Sequence, residues 1–159
     1  MYAKGGPGNS VIENHTHWGM SKDEVKKLMT SQPVEENENI LVYDQFQLSN
    51  LKCIVGYVFH RDKLVTRRYL FNQNYSDISY YLADNMNLKE ALEKILGKAT
   101  TSREWKTTPY TLGNGKMVEA IRRGDLELSH VWESKHTTVV LHMKGSGDKI
   151  IMTLNYIGR

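Results

Sequence analysis

The chain states one pattern twice, and that repetition constrains its fold more than any other feature. Each half opens with a short helix signal and continues with three strand-like runs. The first signal is Ser21-Lys22-Asp23-Glu24 leading into Val25, Leu28 and Met29; the second is Asn87-Leu88-Lys89-Glu90 leading into Ala91, Leu92, Ile95 and Leu96. Ser21 and Glu24 have the spacing of a capping box, in which each side chain satisfies a free backbone donor of the first turn. Strands are predicted over 40–46, 52–60 and 63–71, and again over 127–132, 137–144 and 149–157. A helix-plus-strands unit leaves an apolar sheet face uncovered, and two such units can cover each other's. The expectation is an α+β fold with an antiparallel sheet, continuous or split. It is built from two helix-then-three-strand pseudo-repeats, at about 18–72 and 75–157, with the helices on one face. Residues 1–17 read as a flexible tail and 18–159 as one globular domain, which suits a chain of 159 residues.

Local signals refine this. Pro33 disfavours helical geometry at Gln32, so the first helix should end near Thr30. His60-Arg61-Asp62-Lys63 reads as the turn of a hairpin. The second helical region reads as two pieces, Ser76 to Leu82 and a helix from Asn87 that Gly97 closes. Residues 98–115, rich in Thr, Gly and Lys, predict a loop or a short edge strand, and 117–121 a short helix or strand that Gly124-Asp125 ends. In the last strands Leu126, Leu128, His130 and Trp132 share one face, as do Ile150, Met152, Leu154 and Tyr156. One apolar face and one mixed face fit a sheet covered on a single side. Over 63–71 neither alternating set is apolar: Val65, Arg67, Tyr69 and Phe71 stand against Leu64, Thr66, Arg68 and Leu70, and the inward side stays open.

The chemistry-bearing residues argue against a reactive centre. A formal charge of +3 is small for a nucleic-acid binder. The basic groups at Arg67-Arg68, Arg122-Arg123 and Lys22/Lys26/Lys27 read as solvated faces. Cys53, the one cysteine, lies in an apolar strand and reads as a buried, inert thiol; it excludes an internal disulfide and a cysteine-based zinc site. His15-Thr16-His17 offers two imidazoles, but no third or fourth ligand is identified, and the reading taken is a solvated tail without metal. Glu35, Glu36 and Glu38 lack calcium-loop spacing. Gly145-Ser146-Gly147-Asp148 is a hairpin loop rather than a phosphate cradle, and no Gly-x-Ser-x-Gly elbow is present. No apolar run is long enough to cross a bilayer, and residues 1–10 contain no hydrophobic export stretch.

The entry Trp18-Gly19-Met20-Ser21-Lys22-Asp23-Glu24-Val25, followed by strands, then helix and strands again, resembles two groups of small bacterial envelope proteins. These are the SmpA/OmlA-type outer-membrane lipoproteins and the tandem β-lactamase-inhibitor proteins. The stretch from Ala120 to Trp132 followed by Thr137 to Leu141 adds to the likeness. The chain departs from the inhibitors in lacking paired cysteines and from the lipoproteins in lacking a lipid-acceptor cysteine near its start. The resemblance implies a binding or assembly role in the cell envelope and carries over no catalytic residue. It tips the compartment towards an extracytoplasmic one, reached after removal of a signal, with Met1 then not native; a cytosolic protein is the other setting.

The function expected is therefore a non-catalytic protein-binding, assembly or inhibitor-type module that needs no cofactor and has another protein as its partner. The candidate contact residues are Trp105 and Tyr110, aromatic groups in a polar segment, and Arg68, Ser129, His142 and Asn155 on the open face of the sheet. A small enzyme with a polar site on that face, and a weak single-stranded nucleic-acid binder using the arginine pairs, are the alternatives.

Overall fold

The structure, a computed structural model, describes residues 15–105, 117–147 and 149–159, with the backbone alone for 101–105. It is α+β with an antiparallel sheet. Helix α1 (Lys22–Leu28) precedes strands β1 (Glu35–Glu36), β2 (Ile40–Leu48), β3 (Leu51–His60) and β4 (Lys63–Phe71). Helix α2 (Ser79–Leu96), strand β5 (Thr100–Trp105) and helix α3 (Met117–Arg122) follow, then β6 (Leu126–Glu133), β7 (Thr137–Ser146) and β8 (Lys149–Gly158). The strands are hydrogen-bonded in the order β1-β2-β3-β4-β8-β7-β6-β5. The chain forms two compact units: residues 1–73, 133–139 and 155–159 in the first, 74–132 and 140–154 in the second.

In the first unit, α1 starts at the capping box: Ser21 accepts from the Glu24 amide, and the Glu24 carboxylate accepts from the Ser21 amide. The helix stops at Leu28 and buries one residue, Val25. Lys26 hydrogen-bonds Glu36 at 3.0 Å and holds its carboxyl below the usual carboxylate range. Two-residue turns join β2 to β3 and β3 to β4. Ser49-Asn50 and Arg61-Asp62 all take positive φ, the left-handed pairs that match strand twist. The inner face buries Leu41, Tyr43, Phe46, Leu48, Cys53, Val55, Tyr57, Phe59, Leu64, Tyr69 and Phe71.

Two irregularities set that face. Between β3 and β4 the register runs Phe59↔Leu64 and then Val58↔Thr66, so Val65 is an extra residue, a β-bulge. Strict alternation from Leu64 would have turned Arg68 and Leu70 inward; the bulge turns Arg67, Tyr69 and Phe71 inward instead. This is why neither alternating set of β4 reads as apolar. A second shift, between Tyr43 and Phe46 of β2, leaves Asp44 and Gln45 exposed, with Gln45 at φ 55°.

In the second unit, α2 is one unbroken helix rather than two, with Asn87 inside it and no side-chain cap at its start. Gly97 closes it at φ 89°. Its Asn85, Leu88 and Leu92 are buried, and Asn85 reaches His130 of β6 and Met152 of β8, so the helix lies on the buried face of those strands. Leu126, Leu128, Trp132, Leu141, Met143 and Leu154 complete that layer. Helix α3 approaches β7 so closely that a Cβ on Gly145 would strike the Ile121 carbonyl, and only glycine fits there. Residues 100–105 form the short edge strand β5, antiparallel to β6.

Candidate binding surface on the open face

Two consecutive arginines of the first unit occupy opposite faces of β4. Arg67 is 8 % exposed and points inward. Its guanidinium carbon lies 5.0 Å from the Trp18 ring centre and 4.7 Å from that of Tyr156, and Nη1 donates to Thr16 Oγ1 at 3.1 Å. Trp18 Nε1 donates to Thr137 Oγ1 at 2.9 Å, and the Gly19 amide donates to the Leu64 carbonyl. Thr16 is buried, so packing reaches into the stretch read as tail. Stacking between two aromatic faces retains a buried cation because each ring offers a negative π-face.

Arg68 is exposed on the other face. Its Nε donates to Asn155 Oδ1 at 2.8 Å. That bond fixes the plane of the guanidinium and leaves the edge with both Nη groups available, the edge that grips planar oxyanions. Among the described residues no carboxylate pairs with Arg68. Directly across on β3 is Gly56, itself opposite Val42 of β2. A glycine inside a strand weakens it by about 0.5–1 kcal/mol relative to alanine. Among the described residues a Cβ at Gly56 would meet only the Arg68 carbonyl oxygen, at 4.0 Å, so their packing does not require the glycine. The missing side chain leaves a notch beside Arg68.

The same face continues along β3 and β4 through Ile54 opposite Leu70, which is an exposed apolar side chain. It ends in a cleft of about 500 Å³ lined by Asp44, Gln45, Phe46, Gln47, Lys52, Ile54 and Asn72. The bulge in β2 shapes one wall. The Asn72 amide and Gln73 Nε2 both donate to the Lys52 carbonyl and fix the other. Amide side chains that both donate and accept, with an apolar floor, suit the polar backbone of another chain.

The remaining candidate residues belong to the second unit or lie beyond description. Ser129 is half-buried on β6, opposite Ser102 of β5. His142 Nε2 donates to Glu127 Oε2 at 3.1 Å, both side chains half-buried. His130 instead faces the core, donating to Asn85 Oδ1 at 3.0 Å, while Asn85 Nδ2 donates to Met152 Sδ. The two histidines therefore have separate partners on opposite faces. Trp105 ends β5, paired with Leu126, rather than sitting in a loop. Tyr110 lies outside the described residues.

Other chemistry is equally structural. Burial pushes the Cys53 thiol up to about 12, so it is no nucleophile near neutral pH. Burial, with the hydrogen bond to Asp84 at 2.7 Å, pushes Tyr75 up to about 12. Arg122 and Arg123 both engage Glu119, whose carboxyl the Arg122 hydrogen bond lowers. With Arg67 buried, the pair Arg67-Arg68 is not one basic patch, which corrects its reading as a solvated face. No group of three or more metal-ligating side chains exists among the described residues, and no described helix is long and apolar enough to cross a membrane. Comparison with protein-family models, curated proteins and solved structures gives no match.

The signals missed in the sequence were the two bulges and the glycine at 56. Gly56 interrupts an otherwise apolar β3 between Val55 and Tyr57, and an isolated glycine in a strand marks a bulge or a close approach.

Proposed function

We propose that the protein is a non-catalytic binding module of assembly or inhibitor type, of the bacterial envelope, that docks a segment of another protein on the open face of its first unit. The observation that carries this reading is the cleft beside β2. Asp44, Gln45, Gln47, Lys52 and Asn72 surround an Ile54 floor, and the face continues past Leu70 to Arg68. A shallow polar surface with one apolar strip matches protein recognition better than the enclosure of a small apolar ligand. Each half of the chain supplies a helix and at least three strands, and the tandem-repeat reading belongs to the same proposal.

Display selection of random twelve-residue peptides on the immobilised protein tests it. Binders are expected that Ile54→Arg abolishes and that Lys27→Glu, on α1, leaves intact. Failure to enrich any peptide, or binders indifferent to Ile54→Arg, would remove the open face as the docking surface.

A further inference from the structure

Resting on that reading of the open face, we infer that the docked segment is acidic: an Asp or Glu side chain is gripped by the Nη edge of Arg68, and its backbone settles into the notch at Gly56. Two independent observations carry this. The first is the orientation of Arg68. Asn155 takes only its Nε, at 2.8 Å, so one edge of the guanidinium is held while the other is left for a ligand. A fixed fork loses less freedom on binding than a loose lysine and matches a carboxylate through two parallel hydrogen bonds.

The second is Gly56. Its described neighbours leave room for a Cβ, its φ is not left-handed, and no described residue packed on β3 calls for a glycine. Glycine without a steric reason in the middle of a strand is accounted for when another backbone approaches that spot. The approach would come in the row that holds Arg68, since Gly56 and Arg68 are cross-strand partners. One row further, Ile54 and Leu70 present apolar surface. A ligand with an acidic residue and an apolar residue two positions away, extended along the strands, meets both rows, because alternate side chains of an extended chain fall on one side.

The experiment uses the peptides selected above. Enriched sequences should share an Asp or Glu two positions from an apolar residue. Arg68→Ala should weaken an acidic peptide about tenfold or more, the scale of a charge-assisted hydrogen bond, and Arg68→Lys should restore only part. Replacing the peptide's Asp by Asn should cost the wild type the same factor and cost Arg68→Ala nothing further. Gly56→Val, which the strand can accommodate, should weaken binding while leaving the unfolding midpoint at or above that of the wild type. Peptides that need Ile54 but carry no acid, or that ignore Arg68→Ala, would overturn this inference while leaving the docking face standing. Failure to select any peptide would remove both. Tighter binding of a phosphoserine peptide than of its Asp counterpart, or displacement by a single-stranded oligonucleotide, would reassign Arg68 to phosphate and overturn the carboxylate.

Discussion

The two faces of β4 treat the same side chain in opposite ways. On the inner face Arg67 lies between the rings of Trp18 and Tyr156, tied to Thr16; on the outer face Arg68 is exposed and touched through one nitrogen by Asn155. Residue type therefore decided neither fate. Strand phase did, and one extra residue, Val65, set the phase. Truncating neighbours on the two faces is the strongest way to break the comparison. Tyr69→Ala empties a fully buried site on the inner face and should cost about 3–5 kcal/mol, whereas Leu70→Ala, on the outer face, should stay within about 0.5 kcal/mol. Urea titration reads both. Equal losses at the two positions would show that the bulge does not set the phase.

The next effect is smaller and separates the arginines. Arg67→Ala removes two cation–π contacts and the packing of a long stem, and should destabilise by about 2–3 kcal/mol. Arg67→Met, which keeps the stem's volume and brings no buried charge, should recover much of that. Arg68→Ala should leave the urea midpoint unchanged. Equal losses at the two positions would mean that both side chains serve the fold, and the outer face would lose its claim to be a surface kept for a partner.

Much of this architecture was legible beforehand, and what was not has a physical cause. The capping box at Ser21 and Glu24, the hairpin at Arg61-Asp62 and the inward set of β6 depend on local chemistry or unbroken alternation, which a sequence displays directly. Helix α2 was legible as two pieces because Asn87-Leu88-Lys89-Glu90 imitates a helix start. Burial of Asn85 against His130 and Met152 carries the helix straight through it. The inward side of β4 was hidden because a bulge breaks the period that pattern reading relies on. Within the candidate surface, Arg68 and Asn155 were identifiable as outward polar groups. The role of Gly56 depends on which residues stand opposite it, and register is a tertiary fact.

The second unit answers the problem of a buried polar group differently. Where the first unit surrounds a cation with rings, the second uses a hydrogen bond between side chains: Asn85 is fully buried and accepts from His130. Asn85→Ala removes that acceptor from inside the core and should cost about 1–3 kcal/mol. Cys53 of the first unit adds an alkaline test. Its folded pKa of about 12 lies above the ordinary thiol value of about 8.5, so the unfolded chain loses its proton first. The stabilisation from the neutral thiol is complete below about pH 8.5 and is lost as the pH climbs towards 12. Urea midpoints of the wild type should fall across that window more steeply than those of Cys53→Ala, and parallel curves would show that the thiol is not buried.

The smallest expected effect concerns a polar atom on the inner face of the first unit that neither strategy serves. Tyr43 is buried in β2, edge-on to Tyr57, and its hydroxyl makes no hydrogen bond among the described residues. Burial raises its pKa, the response of an oxygen held away from water. Arg67 and Asn85 lose stability on truncation because each satisfies a partner; Tyr43 should not. Tyr43→Phe keeps the ring and its edge contact and removes only the oxygen, so stability should hold or rise by up to about 1 kcal/mol. Tyr43→Leu, which loses the ring, should cost more than it gains and thereby separate packing from polarity. A clear loss in Tyr43→Phe would mean that the hydroxyl has a partner, a bound water or a group beyond the described residues. The inner face would then satisfy that oxygen, as the second unit satisfies Asn85.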